Sequence, residues 1–294
     1  MDTSLIECVP NFSEGRRPEV VASIVAAIEN ALGQPVLDQH LDPDHHRSVI
    51  TFVGSPEAVG AAALAGIAQA VDCLDLSNHS GVHPRIGVVD VVPFVPVRNV
   101  TMAECVALAH WVGRQVSARH HLPVFCYGEA ACQAEYRDLA ALRRAVRTAL
   151  TFPRPDFGPP RLHPTAGALA IGARDYLIAF NVELETDALD IAQSIARELR
   201  AAQGGLPGVK ALGLRLASRG TVQVSCNLTD VRRTRPADVF YAVVAAAKRY
   251  GIRVRRPELV GLVPTLEATL GFDAATRSSL FPDEKVLSRR LGLE

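Results

Sequence analysis

Twice along this chain the same order of patterns appears: an apolar run, an amphipathic stretch, two further apolar runs, a second amphipathic stretch and a closing apolar run. The first copy opens with a run over 5–9. A helix follows from near Arg17, with Val21, Ile24, Val25 and Ile28 at the spacing that lines one helix face. Gly33 suits its C-cap. Runs over 36–41 and 48–53 read as strands. Ser55, Pro56 and Glu57 make a helix start: serine as N-cap, proline at the first helical position, an acid in the first turn. That alanine-rich helix runs to about residue 71, and 87–95 closes the copy. The second copy has a strand over 176–184 and a helix over 187–200 carrying Ile191, Ile195 and Leu199 on one face. Strands over 209–216 and 221–228, a helix over 236–250 and a strand over 252–262 complete it. The order β-α-β-β-α-β is that of the ferredoxin-like split β-α-β motif. The expected fold class is α/β (α+β): two ferredoxin-like sandwich subdomains, 1–175 and 176–294, each with helices on one sheet face. A cleft between them is the default ligand site.

Between the copies, Thr101 and Glu104 have capping-box spacing and open a helix. "LPVFCYG" over 122–128 reads as a strand and 139–150 as a helix. The proline-rich stretch 151–165 is expected to be an ordered connecting loop.

The 31 basic residues balance 31 acidic ones, which argues against a nucleic-acid partner. No run of ~18 apolar residues predicts a membrane span. The opening "MDTSLIECVPNFSEG" lacks the basic region and long apolar run of a signal peptide, so a cytoplasmic location is expected. Cys8, Cys73, Cys105, Cys126, Cys132 and Cys226 form no CxxC pair and are mostly flanked by apolar residues. They read as buried free thiols rather than a disulfide framework.

Three polar clusters adjoin the expected strands. "VPNFSEGR", 9–16, either presents backbone N–H groups to a ligand or is a strand-to-helix turn capped by Asn11 or Ser13. "DQHLDPDHHRSV", 38–49, holds His40, Asp42, Asp44, His45, His46 and Arg47. Its histidines and carboxylates would suit zinc or manganese. The stretch equally reads as a hairpin of solvated charges or a substrate-contacting loop, and a connection this short cannot aim every side chain at one point. Arg47 is its best single candidate, since a guanidinium grips a carboxylate through two parallel hydrogen bonds. "HSGVHPRIGVVDVVPF", 79–94, places His83 before Pro84, which holds it extended. Gly81 and Gly87 allow unusual backbone angles or close approach, and Arg85 follows. A histidine so fixed serves as a general acid or base near neutral pH, or as a structural residue of its turn.

Together "LIECVPNFSEGR", "HSGVHPRIGVVDVVPFVPV", "YGEAA", "PDFGP", "LIAFNVEL", "VQVSCNLTD" and "ELVGLVP" occur in this order along almost the whole chain. This resembles the glutamate formiminotransferase (glutamate formimidoyltransferase) family. The resemblance implies two α/β subdomains with a folate tunnel between them. It also implies transfer of a formimino group from N-formimino-L-glutamate to N-5 of tetrahydrofolate. It assigns catalysis to His83, in "HPRIG". Folate contact falls to the loop after "PDFGP": Gly158, Pro159, Pro160, Arg161, Leu162, His163, Pro164, Thr165, Ala166 and Gly167. Where vertebrate members carry an acid, this chain has His40, so that role falls to His40 or Asp42. Substrate-binding candidates are Asn11, His40, Asp42, Arg47, Arg85, Lys210 and Asn227. The reaction needs tetrahydrofolate as co-substrate and no metal or tightly bound cofactor. Vertebrate members fuse a cyclodeaminase domain behind this part, whereas this chain ends at Glu294; any cyclodeaminase is then expected to be a separate protein or absent, and the resemblance suggests a homodimer. Competing readings are a formyl analogue acting on 5-formyltetrahydrofolate, a metal-dependent hydrolase built on His40 to His46, and a non-catalytic folate-binding protein. "KRYGIRVRRP", 248–257, reads as a solvated strand edge or as attraction for a polyglutamate tail.

Overall fold

The structure, a computed structural model, describes residues 4–149 and 151–293. It divides into two units, Met1–Asp175 and Tyr176–Glu294. No helix among the described residues is long and apolar enough to cross a membrane.

In the first unit the chain runs β1 (Leu5–Cys8), β2 (Asn11–Phe12), α1 (Pro18–Leu32), β3 (Asp38–Asp42), β4 (Arg47–Gly54), α2 (Pro56–Cys73) and β5 (Val89–Arg98). The strand expected over 5–9 is β1, and Pro10, which has no N–H for the ladder, separates it from a short β2 not anticipated from the sequence. β1 and β2 both lie between β4 and β5, antiparallel to each. With β3 beyond β4, these strands make the antiparallel ferredoxin-like order β3-β4-β1/β2-β5. Val21, Ile24, Val25 and Ile28 of α1 are all buried, and Gly33 ends the helix at φ 77°.

The chain then extends this sheet. It passes through α3 (Met102–His120), β6 (Val124–Gly128), α4 (Leu139–Thr148) and β7 (Leu169–Ala173). The last residue of the helix expected over 139–150, Leu150, lies outside the described residues. β7, not anticipated from the sequence, inserts between β5 and β6 and is parallel to both. The helices do not all lie on one face, which corrects the expectation for this unit. Ile6, Phe12, Ile50, Phe52, Phe94, Val124 and Cys126 pack with α1, α2 and α3. Phe125, Tyr127 and Ala170 point the other way and pack with Leu142 and Val146 of α4. The path explains this. The chain moves outward from β5 to β6 through α3 and back inward to β7 through α4. Two crossovers of one hand with opposite travel put their helices on opposite faces.

The second unit has β8 (Ile178–Leu184), α5 (Leu189–Leu199), β9 (Val209–Leu216), β10 (Thr221–Leu228), α6 (Pro236–Arg249) and β11 (Val254–Val260). Its antiparallel order is β11-β8-β10-β9, the same topology as the core of the first unit. Short helices α7 (Ala274–Leu280) and α8 (Leu287–Arg290) follow. Alternation along the strands sends Ile178, Phe180, Val182, Val222 and Val224 into the core with α5 and α6. The alternate residues Asn181, Glu183 and Gln223 make the other face polar: Thr221 and Arg219 bond Glu183, and Asn181 and Gln223 bond Glu258.

Candidate active site

The three polar clusters are separated in sequence, yet the antiparallel pairing of β2, β4 and β5 brings their ends together. The segments touch through backbone. A Cβ on Gly15 would collide with the backbone of Asp42 and Arg47, and one on Gly81 with the carbonyl of His45. These contacts are why glycine occupies both positions. Glu14 closes the first segment: its Oε1 accepts from the N–H groups of Gly15, Arg16 and Arg17 at 3.0, 2.8 and 3.0 Å, ahead of α1. Burial opposes ionisation there, but those N–H groups and the Arg17 guanidinium hold the carboxyl down to about 2. Asp42 plays the same part in the second segment, its Oδ1 accepting from the N–H groups of Asp44 and His45, each at 2.8 Å. His46, at φ 51°, links the segments. It stacks on His79 with ring centroids 4.0 Å apart, and its Nε2 lies 3.2 Å from Glu14 Oε1. Burial pushes the His79 imidazole down to about 4.

Asp90 is the buried anchor of the site. Its carboxylate is wholly buried on β5. Oδ2 accepts from Arg47 NH1 at 2.7 Å and from Arg143 NH2 of α4, and Oδ1 accepts from the Ile86 N–H at 3.0 Å. Burial alone would raise the Asp90 carboxyl; Arg143 and Arg47 instead hold it well below the usual carboxylate range. Arg47 also donates from Nε to Asn11 Oδ1 at 2.9 Å, and Asn11 Nδ2 donates to the Val9 carbonyl at 2.7 Å.

His83 sits directly on this lattice. Its Nδ1 is 2.8 Å from the Pro84 carbonyl and 3.3 Å from Arg47 NH1, and its ring lies 5.7 Å from that of His45. The shorter contact assigns the proton to Nδ1, donating to the Pro84 carbonyl. Nε2 then carries the lone pair. Burial pushes the imidazole well below its ordinary value, and Arg47, Arg143 and His45 push it further, with Asp90 opposing. The ring is therefore neutral at physiological pH, its Nε2 lone pair unprotonated.

Arg85 departs from the expectation of a carboxylate fork. NH1 donates to the carbonyls of Gly81 and His83 at 3.1 and 3.2 Å, and NH2 to that of His79 at 3.0 Å. The guanidinium braces the His83 loop. Asp42, His46 and Arg47 each turn to a different set of partners, while a His40 ring nitrogen and an Asp42 carboxylate oxygen lie within 4.8 Å of each other. His40 lies on β3 opposite Val49. In the 158–167 loop, Gly158, Pro160, Arg161, Leu162, Pro164 and Thr165 are exposed, whereas Ala166 and Gly167 are buried. The buried end is tied down: Val88 N–H donates to the Ala166 carbonyl at 3.0 Å, and Gly87 and Gly167 form an isolated bridge. The loop thus joins the His83 segment four residues beyond the histidine. Pro159 and His163 are half-buried, and His163 Nδ1 accepts from the Ala166 N–H at 3.0 Å. Lys210 and Asn227 belong to the second unit, facing each other in the β9–β10 register.

Asp90, Arg143 and Glu14 were not among the sequence candidates. The signal for Asp90 was present: one acid inside "VVDVVPF", where a strand buried on both faces leaves a charge no solvent.

Residues 5–174 match the formiminotransferase domain, N-terminal subdomain, and residues 179–277 match the formiminotransferase domain. A glutamate formimidoyltransferase of Thermoplasma acidophilum is 44% identical over 269 residues, covering 89% of this chain and 88% of that protein. One from Streptococcus pyogenes serotype M1 is 37% identical over 266 residues, covering 88% and 89%. The formimidoyltransferase-cyclodeaminase of Gallus gallus is 40% identical over 99% of this chain, which spans 57% of that longer protein. With both subdomains matched in order along the chain, the chain belongs to the formiminotransferase family.

Proposed function

We propose that this chain is a glutamate formimidoyltransferase: it moves the formimino group from N-formimino-L-glutamate to N-5 of tetrahydrofolate, giving 5-formiminotetrahydrofolate and L-glutamate. Relatives bearing that name match it over most of both chains. The observation that carries the chemistry is His83, with Nδ1 committed to the Pro84 carbonyl and its ring kept neutral. N-5 attacks the electrophilic amidine carbon, forming a new C–N bond and a tetrahedral intermediate. His83 Nε2 accepts the N-5 proton. It then returns a proton to the glutamate nitrogen as the C–N bond to glutamate breaks, so one group serves both steps. Holding both substrates side by side supplies much of the remaining rate.

The 158–167 loop is the proposed folate contact, supported by its exposed tip and by its anchorage beside His83. Arg161 and Lys210 are proposed to meet substrate carboxylates, since both are exposed cations. Arg47, 3.3 Å from His83 Nδ1, is proposed as the positioning partner of His83. Of His40 and Asp42, the acid role is proposed for His40, because Asp42 Oδ1 is engaged by the N–H groups of its own turn. The product would be consumed by a cyclodeaminase, an activity carried in the name of the animal relatives. Six cysteines, none in a disulfide, support a reducing, cytoplasmic setting.

A steady-state assay with formiminoglutamate and tetrahydrofolate tests the reading. His83→Ala should fold as the parent does and lose ~10²-fold or more in turnover. Turnover within a few-fold of the parent would remove His83 from the mechanism.

A further inference from the structure

The cysteines separated by five residues, Cys126 and Cys132, meet a histidine on the face of the first sheet that α1, α2 and α3 cover. Cys126 lies on β6 and faces the core shared with α3. Cys132 follows in the loop towards α4, and His110 projects from α3. The ligand atoms of these three residues all lie within 4.8 Å of one another. His110 Nε2 is 3.7 Å from Cys132 Sγ. Tetrahedral zinc, with bonds of about 2.3 Å to sulfur and about 2.0 Å to nitrogen, needs its ligand atoms roughly 3.5–3.8 Å apart. The histidine–sulfur pair already has that separation. The rest must contract by about 1 Å: a turn of the exposed Cys132 side chain closes its distance to Cys126, and a small rotation of the His110 ring closes the other.

The fourth position also has a donor nearby. Asp156 accepts from the Cys126 N–H through Oδ2 at 2.7 Å and from Gln133 Nε2 through Oδ1 at 3.3 Å. It also faces the Cys132 thiol. The four residues come from a helix, a strand and two loops, so a bound ion would tie together segments that no single hydrogen bond joins. One side of the cluster is closed, Cys126 being fully buried, and the other is open at Cys132. That gives the ion a path in.

We propose that His110, Cys126 and Cys132, completed by Asp156 or water, form a zinc site that stiffens the first unit and stands apart from the His83 site. Two thiolates and an imidazole are the soft and borderline donors that favour zinc over magnesium or calcium. Two thiolates neutralise the divalent charge. Loading replaces two S–H bonds by two Zn–S bonds and releases both protons to solvent. His110 exchanges its hydrogen bond to the Ala130 carbonyl, 2.8 Å from Nε2, for the metal, and its proton moves to Nδ1. Because loading releases two thiol protons, uptake strengthens as pH rises. Asp156 leads directly into the 158–167 loop, whose base the ion would make rigid.

The test uses the whole chain, reduced, stripped with chelator and titrated with zinc alone. One zinc should bind per chain, with about two protons released for each. Saturating zinc should raise the melting temperature by about 5–10 °C. Cobalt in its place should show thiolate charge-transfer absorption. Cys132→Ser and His110→Gln should each weaken zinc binding at least ~10-fold. Turnover measured well below melting should change little on chelation. Absence of zinc uptake by the parent would overturn the proposal. So would Cys132→Ser binding zinc as tightly as the parent, or isolation of the protein with Cys126 and Cys132 joined as a disulfide.

Discussion

Asp90→Asn is the sharpest probe of the His83 lattice. The carboxylate receives Arg47, Arg143 and the Ile86 N–H. An asparagine keeps the shape but replaces one acceptor oxygen by a donor. Turned one way, its NH₂ faces two guanidinium groups; turned the other, it faces the Ile86 N–H. Either way two cations, with side chains 10% and 13% exposed, lose their counter-charge. Removing one partner of a buried ion pair costs about 3–5 kcal/mol. For a unit of this size, 1 kcal/mol shifts melting by about 2–4 °C, so the expected fall is about 6–20 °C. The chain's single tryptophan, Trp111 on α3, belongs to this unit and reports its unfolding by fluorescence. The pH dependence adds a second check. The folded-state value of Asp90 is depressed, so its stabilisation is complete above the unfolded value of about 3.9 and is lost as pH falls through the folded value. The gap between parent and variant should therefore be constant from pH 8 to pH 5 and shrink only in stronger acid. A shift under about 2 °C, or a gap that closes between pH 8 and pH 6, would refute the reasoning.

Because His83 is held below its ordinary value, the acid limb of kcat/KM should lie below pH 6.5; a limb at or above that value would mean that another group titrates. Arg85→Ala should lower kcat by roughly 10- to 100-fold through a loosened His83 loop and leave KM for formiminoglutamate little changed; the reverse split would return Arg85 to carboxylate binding. Glu7, buried on β1, is raised by burial to about 7, with Arg174 opposing. A raised carboxyl costs stability as pH climbs from its unfolded value to its folded one. Glu7→Gln should therefore stabilise the fold at pH 8 by on the order of 3 kcal/mol and be neutral at pH 4, as read by denaturant unfolding.

The β-α-β-β-α-β order was legible because its signals are local. The α1 face repeats within the helix, and Ser55 and Thr101 cap α2 and α3 as their neighbours predicted. β7 was not legible. "LAIGA" is short and small-chained, and its strand character comes from partners supplied by β5 and β6. The site divides in the same way. His83 stood out through Pro84 and the flanking glycines. Arg85 was misassigned because the carbonyls it braces become visible only once the loop is folded. Arg143 could not be found at all: it lies fifty-three residues from Asp90, on a helix whose neighbouring arginines look like an ordinary solvated face. The zinc candidate escaped because β6 must be placed against α3 before His110 meets the two sulfurs.

The position of β7 has a consequence for how the chain is made. β6 leaves the ribosome before the strand that connects it to the sheet. Until Leu169–Ala173 arrives, β6 has no ladder partner, and the α3 and α4 faces that flank it lack part of their floor. The antiparallel portion through β5 can close early. The parallel extension must wait for a strand that enters its interior rather than its edge. Synthesis from one end therefore leaves an apolar strand and two half-covered helices exposed in the nascent chain, the kind of intermediate that attracts chaperones or self-association. The final step of assembly also draws the 158–167 loop to Gly87, so the proposed folate contact is finished by the same event that completes the sheet.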